Sequence, residues 1–334
     1  MNRGFFFLII IICFNCFSVY ANEITEGNIQ LLVNERTGGF TLNYRASPQL
    51  RRYDSLFNTD QGASYATIYI DGKTYRLGDR NNRPNFEKQN NSLSFIYKLP
   101  SVTVTQIFTP VRTGSSPVYN GINISFTIQN TGSNECSAGL KLLIDTDLGE
   151  GTGNTPFNAA GKPVTAENRI ENASEAKYWI SRGSRAALMG SVINPVDSLL
   201  KAPDSVYFAS WRRLNDSQWK YNYSEGRSLT GDSAVCYYYE PVTLEQGRAV
   251  TYAIFLTAED AEWFNMTPNA VFSAAANEIN ISAAEQFESN PKIEDNEIQN
   301  LVSLRELLNR FLSGEIELNE QNLDEIENAV KKFR

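Results

Sequence analysis

The chain has 334 residues, a formal net charge of −8 at neutral pH, 12% aromatic residues and no histidine. An acidic balance disfavours nucleic acid as a partner, because phosphate binding needs clustered Lys and Arg that release counterions. The missing imidazole excludes Ser-His-Asp and Cys-His catalysis and histidine-ligated zinc, so any catalysis would have to use carboxylates, lysines, tyrosines or thiols.

At the N-terminus, MNRGFFFLIIIICFNCFSVYAN places one cation, Arg3, before an apolar run from Phe5 to Ile12 that continues with breaks to Phe17. The run is short of the roughly 20 residues that span a bilayer. With Val19-Tyr20-Ala21 behind it, the pattern is that of a secretory signal cut after Ala21. Residues 1–21 are therefore expected to be removed, leaving an exported, periplasmic or extracellular product with no later membrane span. Two cysteines, Cys136 and Cys236, remain in it. In an oxidising compartment they could close one disulfide loop of about 100 residues; two buried free thiols are the alternative.

From about Ile24 to Leu256, short apolar-polar alternations are separated by Gly, Asn, Asp and Pro, the grammar of strands and turns. Gly39–Tyr44, Ala66–Ile70, Leu93–Tyr97, Val102–Phe108, Ile122–Ile128 and Gly139–Asp145 each alternate. Asp71-Gly72, between ATIYI and KTYRL, is a two-residue hairpin signal of the type I′ kind. Ala234–Tyr239 and Ala249–Leu256 flank the turn-rich EPVTLEQG and read as a further antiparallel pair. Many strands with no helix between them predict a mainly β protein, a many-stranded antiparallel β-sandwich over residues 22–265.

Within it, LIDTDLGEGTG ends a strand with Asp145 and Asp147 two residues apart and Glu150 close behind. Oxygen ligands beside glycines can hold Ca²⁺, and a carboxylate pair can serve glycoside hydrolysis across a sugar-sized cleft; Asp with Gly is equally what a strand-ending turn requires. Further on, SWRRLNDSQWKYNY mixes Trp211, Trp219 and Tyr221 with Arg212 and amides. Amphipathic aromatics among polar neighbours suit sugar rings and protein hot spots, and the alternation of Trp219, Tyr221 and Tyr223 puts them on one face. Packing within a large sandwich is the plainer explanation of the same residues.

After Leu256 the pattern changes. A helical or linker segment is expected over 266–296 and a helical hairpin over 297–334. Leu301, Leu304, Leu308 and Phe311 belong to a wide apolar stripe at helical spacing. Two short helices cannot bury that stripe alone, so it packs on the sandwich, on a second copy of the chain, or on a partner protein.

The ordered segments ISFTIQN, CSAGLKLLIDTDLGE, YWIS, PDSVYFASWRRLNDSQW and DSAVCYYYEPVTLEQG resemble those of a family of exported bacterial β-sandwich proteins known from spirochaetes. The resemblance implies a periplasmic or envelope location and brings no catalytic role with it. By size and strand content the chain is also similar to sugar-binding supersandwiches such as the galactose mutarotase fold, whose epimerases rely on histidines that are absent here.

The leading expectation is a non-enzymatic envelope adaptor or scaffold that meets an envelope protein or glycan, with the C-terminal hairpin as its docking or self-association element. Its alternative is a carbohydrate-binding module using Trp211, Trp219, Tyr221 and Arg212, and a third is a carboxylate-dependent glycosidase or lyase on Asp145 and Asp147. No cofactor is expected, with Ca²⁺ at the acidic loop as the one candidate ion.

Overall fold

The computed structural model describes residues 21–260, except 48, 113–115, 117, 149–156, 160, 172–174, 194–199, 218 and 230. The expected signal segment and C-terminal hairpin lie outside the described residues. Within them the chain is built almost wholly of strands, and each β pair is antiparallel, as the alternating pattern predicts.

The chain opens with β1 (Ala21–Glu26), β2 (Ile29–Asn34), β3 (Phe40–Tyr44) and β4 (Asp54–Ser55), which pair in sequence order as a four-stranded sheet. Next come the hairpin β5 (Tyr65–Ile70) and β6 (Lys73–Arg76), the meander β7 (Asn85–Gln89), β8 (Ser92–Lys98), β9 (Val102–Val111) and β10 (Gly121–Asn130), and then β11 (Cys136–Asp145). Three short strands follow, β12 (Phe157–Ala159), β13 (Lys162–Val164) and β14 (Asn168–Ile170), before β15 (Tyr178–Arg182), β16 (Ala186–Ser191) and β17 (Ser205–Ser210). A helix α1 (Trp211–Asp216) separates these from the two long strands β18 (Ser233–Leu244) and β19 (Ala249–Asp260).

Nine strands form one sheet in the order β13-β12-β15-β16-β19-β10-β9-β8-β7, and six form another in the order β14-β17-β18-β11-β5-β6. Their inward faces share a single core. Leu140, Leu142 and Ile144 of β11 and Val235, Tyr237 and Tyr239 of β18 meet Ile124 and Phe126 of β10 and Tyr252 and Ile254 of β19 within it. Burying such side chains is worth about 1.5–3 kcal/mol each, which drives the two faces together. The four-stranded sheet adds Ile29, Leu31, Phe40 and Leu42 to the same core.

The Asp71-Gly72 turn has positive φ at both residues, 46° and 86°, as a type I′ hairpin demands. Asp71 also ties this turn to its neighbour: its Oδ1 accepts from the Ser137 N–H at 2.8 Å.

One expectation is corrected, and of the two alternatives for Cys136 and Cys236 the free thiols are the one found. The long strands flanking EPVTLEQG do not pair with each other: β18 lies between β17 and β11 in the six-stranded sheet, and β19 between β16 and β10 in the nine-stranded one. The turn hands the chain from one sheet to the other. A disulfide between Cys136 and Cys236 is also excluded, since both are buried free thiols. They sit on adjacent strands, but Cys136 stands opposite Leu244 and Cys236 opposite Leu143. Seven residues of ladder at about 3.3 Å each separate the two levels, far beyond the Cα separation of about 7 Å that a disulfide can bridge.

Candidate functional site

The Trp-rich stretch lies on the outward face of the six-stranded sheet, and the alternation of β11 and β18 explains why it is needed there. Lys141 and Leu143, and Ala234, Cys236 and Tyr238, point away from the main core, yet all are buried. A strand buried on both faces reads as a near-continuous apolar run, and SAVCYYYE is one.

The roof over this face begins with α1, whose Leu214 joins a second apolar cluster with Tyr65, Leu143, Cys236 and Tyr238. Trp211 anchors the helix start by donating its indole N–H to the Ala63 carbonyl at 2.9 Å. The helix end is held from below by Lys141. Its Nζ donates to Leu214 O at 2.9 Å, Ser217 O at 2.7 Å and Ser217 Oγ at 2.8 Å. A cation beneath the last carbonyls of a helix satisfies acceptors that have no partner within it. Burial pushes the Lys141 ammonium below its ordinary value.

Beyond α1 the aromatics face the sheet. Trp219 packs against Tyr69 (ring centroids 5.2 Å) and Tyr238 (5.9 Å). It sits over Gly139, where a Cβ would come within 3.0 Å of the indole. At Gly139 the β11–β18 register also shifts, opposite Pro241, which cannot donate to a ladder. Tyr221 and Tyr223 both pack on Tyr207. The Tyr221 hydroxyl donates to Glu167 Oε1 at 2.6 Å, and burial followed by this hydrogen bond raises its pKa. Glu167 is buried and also holds the Arg213 guanidinium at 2.7 Å and accepts from the Ser224 N–H at 3.2 Å. The carboxylate thus latches the roof to the loop that carries β14.

Trp219, Tyr221 and Tyr223 therefore share a face, as their spacing predicts, but that face is turned inward. Trp211 and Tyr221 are committed to packing and to Ala63 and Glu167, while Arg212 is exposed and pairs with Asp216 at 3.7 Å. Of the predicted ligand-binding residues, Trp219 lines a cavity. This is an open groove of about 670 Å³ lined by Tyr69, Lys73, Thr74, Tyr75, Trp219 and Lys220. It runs along β6, an edge strand of its sheet. Lys73 and Lys220 are exposed, and Lys220 lies 4.0 Å from the Glu240 carboxylate. Tyr69, Lys73 and Lys220 were not singled out from the sequence; the hairpin signal at Asp71-Gly72, which places Tyr69 and Lys73 around one turn, was the available clue.

At the acidic loop, Asp145 is buried, its backbone N–H donating to Ser64 Oγ at 3.0 Å, whereas Asp147 is exposed. Glu150 lies outside the described residues. Among the described residues no group of three or more His, Cys, Asp and Glu is placed to hold a metal ion. The stripe of Leu301, Leu304, Leu308 and Phe311 also lies outside the described residues. No helix among them is long and apolar enough to cross a membrane.

No protein-family model matches the chain, and no curated protein does. Among solved structures it is similar to a galactose mutarotase-like protein from Lactobacillus casei, at 12% identity over 72% of this chain and 100% of that one, with a TM-score of 0.43. A galactose mutarotase related enzyme from Lactobacillus acidophilus is similar at 11% identity over 72% and 98%, with a TM-score of 0.40. The heparan sulfate lyase HepC mutant from Pedobacter heparinus is similar at 8% identity over 70% and 33%, with a TM-score of 0.35. Similarities of this size transfer no activity, and function has to be argued from the groove.

Proposed function

We propose that the protein is an exported glycan-binding β-sandwich that holds an acidic polysaccharide along the β6 groove. The observation that carries this reading is the Tyr69–Trp219 pair, flanked by Lys73 and Lys220, in a chain whose net charge is −8. Aromatic rings with a polar rim suit the apolar face of a sugar. Two exposed ammonium groups beside them supply the counter-charge for uronate or sulfate groups, and an open groove rather than a closed pocket suits an extended polymer. The groove offers no paired carboxylates among its lining residues, which favours binding over turnover.

The test is affinity electrophoresis of the full chain through gels containing polygalacturonate or dextran. Retardation by polygalacturonate should exceed that by dextran, fall with added salt because exposed charges are screened, and be lost in K73E/K220E. Tyr69→Ala should weaken it without unfolding the protein. Equal retardation of wild type and K73E/K220E would refute the reading.

A further inference from the structure

A second cavity, of about 230 Å³, opens at the other end of the same hairpin, where the β2–β3 turn and the loop after β6 meet the end of β8 and the middle of β9. Its walls include Gly38, Gly62, Arg76 and Asp79, and its floor is Tyr97 and Gln106. Gln106 is the anomaly. Along β9 the inward positions are Val102, Val104, Gln106 and Phe108, so an amide occupies an apolar register position and is only 2% exposed.

The Tyr97 hydroxyl lies 3.0 Å from Gln106 Oε1 and 3.1 Å from the Thr37 carbonyl, and its single proton goes to one of them. The Gln106 amide nitrogen has no hydrogen-bond partner among the described residues. Rotating the amide would let its nitrogen donate to Tyr97 and turn the oxygen outward instead. Either way one polar end of the amide faces the cavity, where the hydroxyl of a ligand can reach it. Gly38 makes room for the Tyr97 hydroxyl: its φ is +70°, and a side chain there would collide with Tyr97.

At the mouth, Arg76 stacks over the Tyr65 ring at 3.5 Å, donates to Gly62 O at 2.9 Å and lies 3.7 Å from Asp79 Oδ1. The Arg76 charge is thus met by Asp79, and the cavity carries no net charge. It offers donors and acceptors together, on aromatic walls, in a volume below the roughly 300–1,000 Å³ of drug-sized sites. An anion would have to displace Asp79 from Arg76, and an apolar ligand would leave Gln106 unpaired.

We propose that this cavity binds a single neutral, polyhydroxylated ring, the size of one hexose unit. The hydroxyls pair with Gln106 and Arg76, and the ring occupies the cavity that Gly38 and Gly62 help to line. The site does not depend on the lysine groove, and each reading can fail without the other.

The test is glycine-selective ¹⁵N NMR of the full chain, titrated separately with glucose, galactose, galacturonate and the amino acid glycine. A neutral hexose should shift the Gly38, Gly62 and Gly78 amides and leave Gly72, in the other groove, unmoved. Affinity should fall about tenfold in Gln106→Leu, the loss of one hydrogen bond, and remain unchanged in K73E/K220E. Should Gln106→Leu fail to fold, Arg76→Met, at a partly exposed position, reads the same loss. Shifts with galacturonate or glycine but not with the hexoses would overturn the neutral-ring assignment. So would the absence of any shift, or hexose affinity unchanged in the folded variants.

Discussion

The two faces of β18 are buried to the same extent and by different means. On its inner face Tyr237 and Tyr239 meet the opposite sheet directly: the Trp179 indole donates to the Tyr237 hydroxyl at 2.6 Å, which in turn donates to Ser191 O at 2.9 Å, and Tyr239 stacks on Tyr252. On its outer face Cys236 and Tyr238 are closed over by a six-residue helix and an irregular stretch, pinned by a buried ammonium and a buried carboxylate. Strand against strand is a cooperative closure, since every contact is shared along two ladders. A roof held by Lys141 and Glu167 is a local one, and the groove residue Trp219 belongs to it.

That contrast predicts where damage spreads. Trp179→Ala removes the largest wholly buried side chain of the inner face and breaks its chain of hydrogen bonds. A loss of about 3–5 kcal/mol is expected, in one cooperative urea transition in which tryptophan fluorescence and far-UV circular dichroism coincide. Transitions that separate would break the comparison, because the inner face would then also be a local unit.

Lys141→Met should act on the roof alone. Methionine keeps most of the chain length but leaves Ser217 O without the ammonium donor, at about 1–3 kcal/mol, while Leu214 O keeps the Ser217 hydroxyl. Amides of α1 and of residues 219–223 are expected to exchange faster, while those of β9 and β10 keep wild-type protection. Polygalacturonate retardation should weaken with them, since Trp219 is positioned by the same roof. Uniform loss of protection across both sheets would show instead that roof and core form one unit.

Much of this arrangement was legible in the sequence, and the reasons for the rest are specific. The alternation in Val102–Phe108 and Ile122–Ile128 and the Asp71-Gly72 turn gave strands and a hairpin, because period two and positive φ are local properties. The pairing of β18 and β19 was not legible, since each has partners chosen by sheet order from distant parts of the chain: Val235 faces Ile144, and Ile254 faces Ile124. Periodicity likewise shows that Trp219 and Tyr221 share a face but not whether that face meets solvent or sheet. The helix α1 has too few residues for a helical period to register. Gln106 did leave a signal, an amide at an inward position of an otherwise clean alternation, whereas Lys141, between Leu140 and Leu142, stands at an outward position where a polar residue is expected and so left none.

The smallest effect separates the two faces by pH. Cys236 lies in the outer cluster with Tyr238, and burial pushes its thiol up from 9.0 to about 12, the Lys141 charge opposing the shift. Because the folded value is the higher one, the unfolded chain loses this proton first. The resulting stability is complete below pH 9 and is lost as the pH rises towards 12. One proton corresponds to about 1.4 kcal/mol per pH unit. Cys236→Ala should therefore be slightly destabilised at pH 8, where it loses only packing, and its disadvantage should shrink above pH 9 and then reverse. Tyrosines raised by burial elsewhere in the core, such as Tyr97 and Tyr252, weaken wild type and variant alike above pH 10, so the difference between the two urea midpoints reports the thiol and the groups coupled to it. Parallel lines from pH 8 to 10.5 would mean that the roof admits water to Cys236 and that the outer face is less closed than its packing indicates.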